Sequence, residues 1–386
     1  MITEASLTGL SHFEIIRKLT KLSVQKSLSY AIWKKPGRNR IMMTLANTTT
    51  SRDELSPEHE GAGFALAPFD PAAKKLFLPA DHLFEFSNEE SIEMTSGDLL
   101  DQIGSLENNT TCFHPGPSDG ENESATPYAK LVEACISYIK SGEVSKLVPS
   151  RCKRIELKAD ADPIILLERL CANYPDAFVS MVSTPESGTW LGASPEPLIE
   201  VDSSNMLRTV ALAGTKPYHE GMSLSAAAWT QKEIEEQALV ERYIIGCFKK
   251  IRVREYDEFG PRTVRAGNLI HLRSDFFVDQ QEVRYPDLAT VMLRLMHPTS
   301  AVCGTPGDKA LEFLQKYEGY NRRYYAGFLG PVNIGNETNL FVNLRCMKWL
   351  GNEAVLFAGA GVTAGSNPDQ EWQETRIKMD TLRKFI

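Results

Sequence analysis

Three β-patterned runs follow one another late in the chain, over residues 323–333, 338–348 and 353–364, and the connections between them are too short to hold a crossover helix. Parallel neighbours need a dozen or more connecting residues, so these strands have to pair antiparallel. The same constraint acts on the patterns near 176–184 and 188–193, and a further strand is expected near 206–213. Helical spacing appears between the clusters. Tyr128, Leu131, Val132, Cys135, Ile136 and Ile139 recur on one face, with Pro127 at the start and Gly142 at the stop. A strand at 144–157 comes next, then helices at 163–172, 231–249, 286–296 and 307–318, and a last one from Pro368 to the C-terminus. Ser366 or Asn367 caps that last helix, and Asp369 and Glu371 face its positive dipole end. Clustered strands with interspersed helices predict an α+β fold of antiparallel sheets, not a doubly wound parallel sheet. A chain of 386 residues buries roughly 75% of its unfolded surface and needs no disulfide or metal to fold.

Signals before residue 120 are sparse: an apolar pattern near 61–69 and a strand around 75–78. Residues 47–60 read as a solvated loop and residues 105–127 as a linker, since neither carries a periodicity that would bury a face. No internal repeat is evident. The start, Met1-Ile2-Thr3-Glu4-Ala5-Ser6, has neither the basic residues nor the apolar run of a signal peptide. No stretch approaches the ~20 apolar residues of a membrane span. The seven cysteines are scattered and never form a C-x-x-C pair, so neither a disulfide framework nor a zinc site is expected. These features predict a cytoplasmic protein with reduced, mostly buried thiols. Fifty acidic residues against 42 basic ones leave a net charge of −8, which argues against nucleic-acid binding. The same charge makes the chain look like a poor host for a small anion.

Several local motifs have both a chemical and a plain structural reading. Residues 357–365 (FAGAGVTAG) imitate a dinucleotide fingerprint, but the glycines fall as G-x-G-x-x-x-G. Too little chain follows for a second strand with a ribose-binding acid. A tight glycine turn whose bare amides approach a carboxylate is the remaining chemical reading. On the last helix Glu371, Glu374 and Lys378 share one face, and the helix at 231–249 opens with Lys232-Glu233-Ile234-Glu235-Glu236-Gln237. Both read first as solvated faces. If they meet in space they make an oxygen-rich Mg²⁺ site. Lys146 sits in a strand pattern and reads as solvent-facing. Glu196 lies between Pro195 and Pro197, in a rigid turn; buried, it suits a general acid.

Taken in order, the blocks KLVPSR (146–151), WLGASPEP (190–197), LAGT (212–215), KEIEEQALV (232–240), HPTSAVCGTP (297–306), YAGFLG (325–330), Leu344-Arg345, FAGAG (357–361) and EWQETRIK (371–378) resemble the chorismate-utilising enzymes. That family holds isochorismate and salicylate synthases and the chorismate-binding components of anthranilate and aminodeoxychorismate synthases. The resemblance covers residues from about 125 to 385. It implies one large α+β domain of packed antiparallel sheets flanked by helices, with residues 1–120 a divergent N-terminal part of the same fold and 121–386 the catalytic region.

The resemblance further implies dependence on Mg²⁺, with Glu236 and Glu374 as metal ligands. Arg345, the Gly361 amide and Lys378 match carboxylate-binding positions, and Gly214, Thr215 and Ala301 match substrate contacts. Lys146 stands where water-using members carry a lysine and anthranilate synthases a glutamine. Glu196 matches the acid that protonates the departing C4 hydroxyl. Together they imply water addition at C2 of chorismate to give isochorismate, with salicylate synthase as the runner-up. An amine-transferring member is disfavoured by Lys146, by Ala213 where a nucleophilic lysine would stand, and by the missing Leu-Leu-Glu-Ser. The implied enzyme is a monomer acting on chorismate without an obligatory glutaminase subunit. Ser300, Gln237 and Gln373 depart from the family's usual proline, histidine and arginine, and the last two flank the metal positions. The charge of −8 is then no obstacle to a dianion: part of it serves the metal, and Arg345 and Lys378 bring positive charge into the cleft.

Overall fold

Alternation of side chains along each strand divides the apolar residues between separate cores. On the strand Gly63–Ala67, Phe64 and Leu66 enter one core while Ala65 and Ala67 enter another. The structure, a computed structural model, describes residues 10–87, 91–94, 111–116, 127–266 and 269–386. In chain order the elements begin with α1 (His12–Gln25), β1 (Ser29–Lys34), β2 (Ile41–Ala46), β3 (Thr50–Arg52), β4 (Gly63–Ala67), β5 (Lys75–Pro79), β6 (His82–Ser87) and β7 (Ser91–Met94). They continue with α2 (Tyr128–Lys140), β8 (Lys146–Leu147), β9 (Ser150–Glu156), α3 (Pro163–Asn173), β10 (Phe178–Thr184), β11 (Gly188–Ser194), β12 (Pro197–Val201) and β13 (Met206–Pro217). Next come α4 (Gln231–Lys250), β14 (Asp257–Ala266), β15 (Leu269–Asp279), α5 (Gln280–Val283), α6 (Leu288–Met296), β16 (Gly304–Thr305) and α7 (Gly307–Tyr317). The last are β17 (Phe328–Val332), β18 (Thr338–Val342), β19 (Cys346–Trp349), β20 (Glu353–Gly359) and α8 (Pro368–Arg383).

Two nine-stranded antiparallel sheets result, ordered β7-β6-β2-β1-β10-β11-β19-β20-β9 and β14-β15-β13-β12-β18-β17-β4-β5-β3. They face each other through Trp33, Phe64, Leu66, Phe178, Leu329 and Phe341, with the Phe178 and Phe341 rings stacked 4.1 Å apart. The outer face of the first sheet is covered by α1 and α3 through Ile16, Leu19, Leu167 and Leu170. The outer face of the second is covered by α4 and α6 through Val240, Ile244, Leu288 and Met292. This is the α+β arrangement of packed antiparallel sheets flanked by helices that the short strand connections demanded. Among the described residues, no helix is long and apolar enough to cross a membrane. All seven cysteines are unpaired, and six of them are buried.

Several expectations need correction. The supposed loop at 47–60 contains β3, buries Leu55, and sends Glu58 to accept from the Ala289 and Thr290 amides at the start of α6. The run at 338–348 is two strands in different sheets, β18 and β19, broken at the turn that carries Arg345. The run at 144–157 is likewise two, with β8 leaving the large sheet to pair with β16. The 105–127 linker falls mostly outside the described residues. Neither α1 nor the long β14–β15 pair was anticipated; polar residues such as Asp275, held by Arg208, Arg262 and Arg273, mask the strand pattern.

Candidate active site

All ten residues singled out from the sequence line one cavity. Lys146 comes from β8, whose register sets it opposite Thr305, and is only 3% exposed rather than solvent-facing. Glu196 occupies the step between β11 and β12 and is 7% exposed. Ser194 fixes that step: its Oγ donates to the Val342 carbonyl at 2.6 Å and accepts from the Glu196 amide at 3.3 Å. The Glu196 carbonyl accepts from the Val342 amide in turn.

Arg345 sits in the turn between the two sheets with φ 48°, a left-handed conformation uncommon for a residue with a side chain. Its carbonyl accepts from the Ala193 amide at 3.1 Å. A Cβ on Gly192 would lie 2.8 Å from that carbonyl oxygen, so the glycine of WLGAS permits the approach. Gly214 and Thr215 lie where β13 breaks register with β15, between Ala213 and Lys216, which turns them into the cavity. Ala301 precedes β16 and Gly361 follows β20.

Two helix starts converge on the same space. Thr230 and Glu233 form a capping box that begins α4 and places Glu236 one turn later. Asn367 caps α8, accepting from the Asp369 and Gln370 amides, so Glu374 and Lys378 face inward together. Lys378 Nζ lies 2.7 Å from Glu374 Oε1 and donates to the Gly359 carbonyl at 2.8 Å. Lys232 links the helices, 2.9 Å from Glu371 and 3.9 Å from Glu236. The two acidic clusters that read locally as solvated faces thus meet.

Burial dominates the titration of the central pair. It pushes the Glu196 carboxyl up to about 7 despite Lys146, Lys378 and Arg345 pulling the other way. Burial also lowers Lys146, helped by the neighbouring Lys378 charge and opposed by Glu236, Glu196 and Glu374. One group is thereby biased toward its protonated acid and the other toward its neutral base. Glu236 is raised by burial, whereas Glu374 stays below the usual carboxylate range because Lys378, Lys232 and Arg345 outweigh its burial.

The donor set suits Mg²⁺. Glu236 and Glu374 offer carboxylate oxygens into the cavity, and behind them Glu371, fully buried, has one oxygen on Lys232 and the other with no hydrogen-bond partner. Oxygen-only donors, few enough that substrate and water must complete the shell, are what Mg²⁺ accepts. Gln237 does not face this site: its Nε2 donates to the Ala211 carbonyl, Glu241 and Ser274. Gln373 is on the exposed side of α8, and Arg376 donates to it.

Sequence reasoning missed His271 and gave no role to Tyr325, although that residue opens the YAGFLG block; both are on the cavity wall. His271 is buried, and burial followed by the Arg345 charge lowers it to about 3, so the ring is neutral. Its Nδ1 donates to the Gly214 carbonyl at 2.8 Å, which leaves Nε2 as a bare acceptor with no partner in the protein. A lone histidine in an unrecognised strand gave no local signal.

Gly361 provides a sensitive test of cavity fit. A Cβ there would stand 3.2 Å from Lys146 Cε and 3.6 Å from Glu236 Oε1. We expect Gly361→Ala to displace the lysine and lower kcat/KM for the reaction this cavity supports about tenfold with an unchanged thermal midpoint, measured by steady-state kinetics and calorimetry.

A sequence model of chorismate binding enzymes matches residues 48–386. Isochorismate synthase DhbC of Bacillus subtilis is 30% identical over 67% of this chain and 67% of its own length. Isochorismate synthase EntC of Escherichia coli K12 is 28% identical over 67% of this chain and spans 66% of its own length. Isochorismate synthase MenF of the same organism is 24% identical over 95% of this chain and 90% of its own length. Among solved structures, Escherichia coli MenF superposes with TM-score 0.73 at 23% identity, covering 95% of this chain and 90% of its own. Anthranilate synthase component I of Streptococcus pneumoniae follows at TM-score 0.68 and 18% identity, covering 92% and 89%.

Proposed function

Because this chain belongs to the chorismate-binding enzymes, we propose that it is an Mg²⁺-dependent isochorismate synthase. One observation carries the reading: a buried lysine and a buried glutamic acid, Lys146 and Glu196, line the same cavity, and burial favours the protonated form of the glutamic acid. Arg345 and Lys378 supply positive charge for the two substrate carboxylates, and the Gly361 amide adds a donor without side-chain bulk. Glu236 and Glu374 would hold the metal, which when bound would supply positive charge to neutralise a substrate carboxylate. Neutral Lys146 removes a proton from water as the oxygen bonds to C2. The ring double bonds shift, the C4–oxygen bond breaks, and Glu196 gives its proton to the departing hydroxyl. One water is consumed and one released, so the net change is an isomerisation.

Ala213 occupies the cavity wall where a covalent mechanism would need a nucleophile, which favours direct addition of water. The deciding experiment incubates the protein with chorismate and Mg²⁺, with and without ammonium, and separates the products by chromatography. Isochorismate supports the proposal. Salicylate in its place would mean a following elimination of pyruvate, and an ammonium-dependent aromatic amine would overturn water as the nucleophile.

A further inference from the structure

Lys146 does not lie on a strand of the large sheets. Its strand β8 pairs with β16 in a two-stranded ribbon and is tied to the end of the β9–β20 pair by the Leu147–Val362 bridge and the Ala360 amide on the Pro149 carbonyl. A short ribbon of that kind fixes a side chain poorly by itself. Beneath it lies a charged network that the reaction does not use. Arg322 and Glu318 are 3% and 2% exposed and pair twice, Nε to Oε2 and Nη2 to Oε1, each at 2.6 Å. Two further guanidinium donors go to backbone: Nη2 reaches the Val148 carbonyl at 2.7 Å and Nη1 the Val302 carbonyl at 2.8 Å. Glu318 Oε1 accepts from the Ser150 amide at 2.6 Å and from the Ser150 hydroxyl at 2.8 Å. The guanidinium carbon stands 4.1 Å from the centre of the Phe69 ring.

The attachment points matter more than the pairing. Val148 and Val302 both line the cavity, two residues from Lys146 and one from Ala301. One planar fork therefore spans the two segments that carry the proposed base and the Ala301 side of the cavity, and Glu318 holds Ser150, two residues further along the lysine segment. We infer that Arg322, with Glu318, is a positioning residue that sets Lys146 relative to the substrate. The inference rests on the reading of Lys146 as base given above. A lysine at 322 keeps the charge but, as a point donor, cannot span both carbonyls while paired to both carboxylate oxygens.

The test compares wild type, Arg322→Lys and Ser150→Ala, measuring kcat for isochorismate formation and, separately, chorismate binding with Mg²⁺ by tryptophan quenching. For Arg322→Lys we expect a kcat loss on the order of 100-fold, the cost of about an ångström of misplacement, with the dissociation constant within about threefold of wild type. Ser150→Ala removes the hydroxyl's contacts to Glu318 and Tyr320 while leaving the amide contact to Glu318, and should lose several-fold in kcat with binding intact. If Arg322→Lys does not fold, Ser150→Ala decides. An unchanged kcat, or binding lost in proportion to turnover in a folded variant, overturns the positioning role. A wild-type enzyme that makes no isochorismate instead overturns the proposed function, so the two failures are distinguishable.

Discussion

Replacement of Lys146 by glutamine is expected to lower isochorismate formation by at least about 100-fold, the usual contribution of a positioned base, while chorismate binding in Mg²⁺ stays within a few-fold of wild type. Glutamine, one atom shorter, keeps a polar end to the side chain but has no lone pair basic enough to take a proton from water. The groups proposed to hold the substrate, Arg345, Lys378, Gly361 and the metal pair, are left in place. Folding should not suffer: the amide adds no charge at a 3%-exposed position and takes up no more room than the side chain it replaces. The thermal midpoint should therefore hold or rise. Product chromatography, equilibrium binding and calorimetry on the same preparation separate these effects. Undiminished turnover would remove the lysine from the mechanism, and a joint loss of binding and turnover would make it a substrate anchor.

Lys146 also shows where local sequence reasoning stops. In its own strand pattern it reads as solvent-facing, and only the pairing of β8 with β16 and Val362 buries it. Glu371 and Glu236 each read as part of a solvated helix start. That α4 and α8 bring them to a shared Lys232 is a property of the packing. The two helices themselves were legible, because a capping box and an Asn-Pro start are local signals with local energies. β15 was not, since His271, Arg273 and Asp275 break its apolar pattern and are tolerated only through partners on β13 and β14. The order of the nine blocks compensated for this. It nominated residues that no single motif justified, yet it passed over His271, whose link to Gly214 crosses 57 positions.

Glutamine at position 196 should be nearly as damaging, and its pH dependence separates it from a loss of packing. With the carboxyl raised to about 7 by burial, wild-type Glu196 keeps its proton well above the ordinary carboxylate range. As the pH rises through about 7 the acid deprotonates, and kcat/KM should fall toward tenfold per unit. Lys146, which burial shifts below an ordinary lysine, serves as a base only in its neutral form, so activity is also lost where it takes up a proton. The active form therefore needs the glutamic acid protonated and the lysine neutral, which gives a bell-shaped profile. Glu196→Gln preserves the shape of the step held by Ser194 and Val342 but has no proton to deliver. The rate should drop by about 100-fold or more. The residual activity should lose the alkaline limb and keep the acidic one, since only the lysine still titrates. A variant that retains both limbs would assign the alkaline limb to another group and leave Glu196 as a structural carboxyl; one that loses the acidic limb instead would reverse the two roles.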